Sequence, residues 1–234
     1  MSGSLVSAGT RARVRGLMLP IALGLGRLGL TPNALTAIGF AIACVAAVAA
    51  AEQAWLAAGL LVIFGALFDL FDGALARATG KVSKLGAFLD STFDRWGEGV
   101  VYVGIAIGCL AEDFALGAVL ASAAMASAVM VSYTRAKAES LGFSAGTGMA
   151  NIGLAPREVR IVVLTAGLIL TGIQGTANPL LVLESITLPG AIEVVLPWAG
   201  QIWLAWSLGL IAVLATITTI QRIVHTIKQA AQQG

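Results

Sequence analysis

Apolar residues run along this chain in stretches too long and too unbroken for the core of a soluble domain. Crossing the hydrocarbon layer takes about 20 mostly apolar residues, and six stretches qualify: 32–51, 54–76, 86–111, 114–136, 158–175 and 198–222. Arg157 and Arg160 crowd the start of the fifth. Between Gly175 and Trp198, Pro179, Pro189 and Pro197 break the chain into loop or re-entrant pieces. Ahead of the first span, Val14, Leu17, Met18, Ile21 and Leu25 recur at helical spacing, which predicts a helix lying in the membrane interface. RARVR followed by LMLPIALGLG resembles the start of a signal peptide, but Arg27 interrupts the apolar run and no small-x-small site follows. The pattern predicts an all-α integral membrane protein with one domain over residues 1–234. Its parts would be an interfacial N-terminal helix in 1–30 and a six-helix bundle in 31–228.

Composition agrees. Hydrophobic residues are 58% of the 234 and charged residues 11%, where a soluble domain has about 25% charged; the mean hydropathy is +0.92. The net charge of +2 matters less than its distribution. Arg11, Arg13, Arg15 and Arg27 precede the first span; Arg77, Lys81, Lys84 and Arg95 surround the second connection. Arg135, Lys137, Arg157 and Arg160 flank the fourth, and Arg222 and Lys228 follow the last span. The opposite side carries Glu52, Glu112, Asp113, Glu184 and Glu193. By the positive-inside rule both termini and residues 69–94 face the cytoplasm. Cys44 and Cys109 fall within spans, which argues against a disulfide framework or a cysteine metal cluster.

Residues 69–94, DLFDGALARATGKVSKLGAFLDSTFD, concentrate charge where the chain is otherwise greasy. Asp69 and Asp72 stand i, i+3 at the end of the second span; Asp90 and Asp94 stand i, i+4 at the start of the third. Each pair shares a helix face, and a turn near Gly80 would set the pairs opposite each other. Four converging carboxylates repel unless neutralised. Hard divalent cations with oxygen ligands, Mg²⁺ or Mn²⁺, are the economical solution, and two of them suit phosphoryl chemistry. Gly73, Ala76 and Gly86 leave room beside the acids, and Arg77 and Lys81 are placed to meet phosphate. The plainer reading is surface ion pairing of the acids with Arg77, Lys81, Lys84 and Arg95.

The stretch resembles the signature of the CDP-alcohol phosphotransferase family, D-x2-D-G-x2-A-R-x8-G-x3-D-x3-D, at Asp69, Asp72, Gly73, Ala76, Arg77, Gly86, Asp90 and Asp94. The resemblance implies six transmembrane helices, usually in a homodimer, and a two-metal site open to the cytoplasm. It implies attack of a hydroxyl on the β-phosphorus of a CDP-linked lipid, with CMP leaving. Asp69, Asp72 and Asp90 are the implied metal ligands, and Asp94 is the implied base, also able to touch a metal. Asn33, Asp69, Gly73, Ala76, Arg77, Ser83 and Gly86 would bind the CDP-lipid, CDP-diacylglycerol or similar.

Three further stretches bear on the acceptor. LTPNALT (30–36) looks like the opening of the inositol-phosphate, serine and aminoalcohol branches. SYTRAKAESLG (132–142) and ITTIQR (217–222) resemble prokaryotic phosphatidylinositol-phosphate synthases, which implies a prokaryotic cell membrane and inositol phosphate as acceptor. Arg135, Lys137, Arg157, Arg160 and Arg222 are the candidate acceptor-binding residues, Arg222 foremost. APREVR (155–160) departs from the R-P-E-R-like motif of those synthases in register. Glycerol 3-phosphate is the alternative acceptor, and a cation or proton transporter the alternative of another class. Membrane lipids are expected neighbours; nucleic acid is not an expected partner.

Other signals carry less. GLGRLG (24–29) fits a dinucleotide-binding pattern, but no βαβ unit surrounds it. GFSAGTGMANIG (142–153) is a Gly-rich loop that could approach a ligand or merely connect. His225 reads as an interfacial residue, and Trp198 and Trp203 as part of an interfacial belt. Gly104 and Gly108 permit close helix approach, expected within the chain rather than between copies.

Overall fold

A computed structural model describes residues 8–143, 152–175, 186–188, 192–194 and 199–233. Among these residues seven helices follow in order: α1 Ala8–Arg27, α2 Pro32–Ala51, α3 Trp55–Ala78, α4 Lys84–Ala111, α5 Ala115–Ser140, α6 Arg157–Gln174 and α7 Ala199–Gln233. The architecture is helical, as expected, with one small addition in the stretch read as loop pieces. Between α6 and α7, β1 Ile186–Leu188 and β2 Ile192–Val194 form an antiparallel hairpin, with Thr187 opposite Glu193. Three-residue strands need only a local turn, and a hydropathy scan for spans is blind to them. Pro179, Glu184, Pro189, Pro197 and Trp198 lie outside the described residues, as do residues 144–151 of the Gly-rich loop.

Local chemistry sets the helix limits. Thr31 caps α2 by accepting a hydrogen bond from Ala34 N–H at 3.2 Å, with Pro32 in the first turn. Ser83 caps α4 by accepting from Gly86 N–H at 3.0 Å. Gly80 ends the α3 turn at φ +67°, a conformation that glycine adopts freely. The α2–α3 and α4–α5 connections are so short that each pair must run antiparallel. Towards the C-terminus, α7 runs on as helix to Gln233, well past the apolar stretch.

Four of these helices, α2, α3, α5 and α7, are long and apolar enough to cross a membrane. The other two predicted spans coincide with α4 and α6, which also carry charge: Asp90, Asp94, Arg95 and Glu98 on α4, and Arg157, Glu158 and Arg160 on α6. In space, α2 packs on α3 and α4, α5 on α4 and α7, and α6 on α3 and α7.

Small residues bring the helices close together, with larger side chains such as Tyr102, Ile105, Leu168 and Leu204 filling the core. Ala46, Ala50, Ala58, Ala121 and Ala124 are fully buried. Large side chains such as Val48, Leu60, Val119 and Val213 point outward, as helices solvated by lipid tails require. One close approach lies between α4 and α2. A Cβ added at Gly104 would stand 2.7 Å from the Cα and carbonyl carbon of Ala47. At Gly108 it would meet Trp55 at 2.7 Å and Ala50. At the bundle end away from the aspartates, Trp55 Nε1 donates to Glu112 at 3.0 Å and Gln201 to the same carboxylate at 3.4 Å.

The N-terminal helix docks on α3. Met18 and Leu25 pack with Ala22, Leu35, Phe71, Ala74 and Leu75. Ile21, grouped with them by periodicity, is instead 49% exposed. The side chains of Val14 and Leu17 lie outside the described residues.

Candidate active site

The α3–α4 turn brings the two aspartate pairs together. Asp69 and Asp72 occupy the last turns of α3, and Asp90 and Asp94 the first turns of α4. Asp72 is 4% exposed and accepts a 2.6 Å hydrogen bond from the Thr36 hydroxyl on α2. Asp90 lies close enough to Asp69, Asp72 and Asp94 for their charges to repel. Beside Asp94, Phe40 of α2 stacks on Phe93 with centroids 5.0 Å apart, which fixes α4 against α2.

Room around the acids comes from missing side chains. A Cβ at Gly39 would stand 3.1 Å from Asp69 Oδ1. At Gly86 it would meet Ser83 Oγ at 3.1 Å and Asn33 Oδ1 at 3.3 Å, so Asn33, Ser83 and Gly86 converge from two helix starts. Arg77 folds back over Gly73, its Nη1 3.1 Å from where a Cβ would be. Ala76 follows on the same helix, half-buried.

Arg157, the first residue of α6, reaches into the acid cluster. Its Nη2 lies 2.8 Å from Asp69 Oδ2 and 3.1 Å from Asp94 Oδ1. Arg95 is more distant from Asp94, at 3.8 Å, and donates to the Ser91 carbonyl at 2.6 Å. The plainer ion-pair reading named Arg77, Lys81, Lys84 and Arg95, but the arginine that neutralises two of the aspartates comes from another helix. Arg157 Nε is buried without a hydrogen-bond partner in the protein.

Beside these groups a cleft opens between α2, α3, α4 and α6. Asp69, Asp94, Glu98 and Arg157 form its polar end, and Phe40, Val62, Ala66, Phe93, Val101 and Leu164 line its depth. A charged mouth over an apolar interior suits an amphipathic molecule.

The acceptor candidates occupy several places. Arg157 sits among the aspartates. Arg160, 1% exposed, forms a two-bonded pair with Glu98 at 2.8 and 2.7 Å. Arg222 donates to the backbone carbonyls of Val131 and Ile152, and it lies close enough to Arg135 and Arg160 for mutual repulsion. Arg135 pairs with Glu139 at 2.8 Å on the α5 surface, and Lys137 is exposed. Sequence reasoning passed over Glu98 and Thr36. Glu98 had a legible signal, since Asp90, Asp94 and Glu98 recur every four residues in an apolar helix. A threonine on α2 has no such pattern.

Do these residues fit divalent cations? The donor set is all oxygen, as Mg²⁺ or Mn²⁺ prefers. Among the described residues, no three carboxylates, histidines or cysteines close on one point. However, the Arg157 guanidinium between Asp69 and Asp94 marks a position built for positive charge. The residues fit.

Comparison with known proteins decides the family. Residues 29–206 match the family model described as CDP-alcohol phosphatidyltransferase. The chain belongs to that family. It is an enzyme of the phosphotransferase class, as the aspartate signature implied. It is 43% identical over 155 residues to the archaetidylinositol phosphate synthase of Pyrococcus horikoshii, covering 66% of this chain and 77% of that one. It is 35% identical to the phosphatidylinositol phosphate synthase of Cutibacterium acnes, over 76% of this chain and 89% of that one. Among solved structures, the phosphatidylinositol phosphate synthase of Mycobacterium tuberculosis with CDP-DAG bound superposes with a TM-score of 0.71 and 28% identity. That match covers 89% of this chain and 92% of the other. The same enzyme with manganese and citrate matches at a TM-score of 0.71 and 29% identity, over 90% and 88%.

Proposed function

We propose that the chain transfers the phosphatidyl-type group of a CDP-linked lipid to a hydroxyl of inositol phosphate, releasing CMP. The observation that carries this reading is the convergence of two aspartate pairs and Arg157 over an apolar-floored cleft. One substrate is then a lipid that enters from the side, and the other a soluble anion.

In this reading Asp69, Asp72, Asp90 and Asp94 hold two Mg²⁺ or Mn²⁺ ions. When bound, such a pair stabilises the charge that develops on the attacking and leaving oxygens. Asn33, Gly73, Ala76, Arg77, Ser83 and Gly86 receive the CDP group, the small Gly73, Ala76 and Gly86 letting it approach Asp69. The acceptor oxygen forms a bond to the lipid-linked phosphorus, the bond from that phosphorus to CMP breaks, and CMP departs with the electron pair. Asp94 takes the hydroxyl proton; such base catalysis contributes about 10²–10⁴-fold. Thr36 orients Asp72. Arg157 offers positive charge to the acceptor phosphate through the guanidinium edge that meets Asp69 and Asp94; Arg135, Lys137 and Arg222 are the further candidates, Arg222 lying near Arg135.

Two kinds of relative support inositol phosphate over glycerol 3-phosphate: the archaetidyl- and phosphatidyl-transferring enzymes differ in their lipid but share that product headgroup in their names. All six helices α2–α7 cross the membrane in this reading, at about 27 Å for the shortest by helix rise. The basic helix ends face the cytoplasm, α1 lies in the interface, and the enzyme is a homodimer.

The test is CMP release by purified protein with CDP-diacylglycerol or its ether-linked analogue, and Mg²⁺ or Mn²⁺. Inositol phosphate, glycerol 3-phosphate, serine and inositol are offered in turn. Activity is expected with inositol phosphate, and Asp94→Asn should reduce it by about 10²–10⁴-fold. Turnover with glycerol 3-phosphate alone overturns the acceptor; no CMP release with any polyol phosphate overturns the reaction.

A further inference from the structure

Asp94 and Glu98 stand one turn apart on α4, and Arg157 and Arg160 one turn apart on α6. They form a ladder of two rungs between the helices. The outer rung, Asp94–Arg157, faces the cleft mouth, with side chains 14% and 28% exposed. The inner rung, Glu98–Arg160, is 9% and 1% exposed. Arg160 uses three donor groups within the protein: Nε and Nη2 on Glu98 at 2.8 and 2.7 Å, and Nη1 on the Ala155 carbonyl at 3.0 Å. Ala155 N–H in turn donates to Thr218 Oγ1 of α7 at 3.0 Å, beside Leu154 N–H at 2.9 Å. The first turn of α6 has no side-chain cap of its own. It is tied to α4 and α7 by these bonds, three residues from the guanidinium that meets Asp69 and Asp94.

A buried ion pair contributes little net stability, because desolvating both charges offsets their attraction. Ionisable groups at membrane depth more often mark function. Arginine also has a specific use here: its planar fork meets both oxygens of one carboxylate while a third donor reaches a carbonyl, which an ammonium on a flexible stem cannot do. An almost fully enclosed Arg160 has no face to offer a soluble anion.

We propose that Glu98 and Arg160 are positioning residues, which hold the start of α6 in the register at which Arg157 reaches the catalytic carboxylates. This rests on the reaction proposed above, and it removes Arg160 from the acceptor-contacting residues.

The experiment compares kcat and KM for inositol phosphate in full-length protein carrying Glu98→Gln, Arg160→Lys, Arg157→Gln, or Glu98→Gln with Arg157→Gln. Glu98→Gln and Arg160→Lys are expected to shift the same parameter as Arg157→Gln, by about tenfold or more, as sub-ångström to ångström displacement of a catalytic group does. The double variant should lie within about twofold of Arg157→Gln alone, since a misplaced side chain cannot be lost twice. Losses that multiply overturn the proposal. So does a rise in acceptor KM for Arg160→Lys with none for Glu98→Gln, because that marks direct contact. Should Glu98→Gln fail to fold, the apolar pair Glu98→Leu with Arg160→Met supplies a folded alternative. Wild-type kinetics in that stable protein would equally overturn the proposal. Wild-type protein inactive with inositol phosphate refutes the reaction instead, so the two failures are told apart.

Discussion

Replacing Gly104 by alanine tests whether the active site depends on how closely α4 lies on α2. The substitution adds one methyl group, ten residues from Asp94 and about 15 Å along the helix by its rise. That methyl would sit 2.7 Å from the Cα and carbonyl carbon of Ala47 and nearer still to its oxygen, whereas ordinary contact begins at 3.4 Å. Because the neighbour is backbone, no side-chain rotation relieves the clash. The helices must part by about 0.7 Å or more, the difference between those two separations. Overpacking of this kind costs about 1–3 kcal/mol, partly offset by roughly 1 kcal/mol from the better helix propensity of alanine. The larger effect is on geometry. Asp90 and Asp94 ride on α4 while Asp69 and Asp72 ride on α3, so parting α4 from α2 widens the site. Since an error of about 1 Å can cost 10²-fold, a fall of about tenfold in kcat/KM is expected, with a lowered unfolding temperature in detergent. Gly99→Ala is the control, because a Cβ there meets nothing within 4 Å on the same helix; it should retain full activity. Wild-type kinetics and unfolding temperature for Gly104→Ala would refute the reasoning.

Other outcomes follow from the same geometry. Arg157→Gln removes a positive charge that lies 2.8–3.1 Å from Asp69 and Asp94. Mn²⁺, followed by electron paramagnetic resonance, should therefore bind about tenfold more tightly, from Coulomb attraction no longer opposed at an effective dielectric near 20. Unchanged or weaker binding would mean that the arginine does not compete for the metal position. Thr36→Val leaves a buried carboxylate oxygen of Asp72 without its 2.6 Å partner, at a cost of roughly 1.5–3 kcal/mol for a hydrogen bond to a charged group. Thermal unfolding and CMP release should both report it, and Thr36→Ser should recover most of the loss.

What could be read in the sequence was periodic or local. The aspartate pairs were legible because helical spacing puts Asp69 with Asp72 and Asp90 with Asp94, and because Gly80 announces a turn between the helices. The close packing of Gly104 and Gly108 within the chain was likewise visible as a spacing. Span counting was less secure, since α4 and α6 combine apolar length with the charges of the site. A single hydropathy threshold cannot serve both demands. The β1–β2 hairpin was missed because strands of three residues leave no pattern. Thr36 was missed because its partner Asp72 is 36 residues away; Glu98 continues the four-residue repeat of Asp90 and Asp94, but its partner Arg160, 62 residues away, shows only in the fold.

The sequence by itself determined the chemistry available here: an oxygen-donor cluster between two apolar helices, with cations gathered at one end. That much follows from residue types repeated at helical intervals, which depend on nothing distant. Only the tertiary structure decided how the arginines divide their work. Arg157, Arg160 and Arg222 look alike as positive charges along the chain. Folded, one neutralises Asp69 and Asp94, one is locked to Glu98, and one holds two backbone carbonyls. The physical reason is that a guanidinium takes its role from the acceptors around it. Those acceptors come from α3, α4, α5 and the segment before α6, which meet only when the bundle closes.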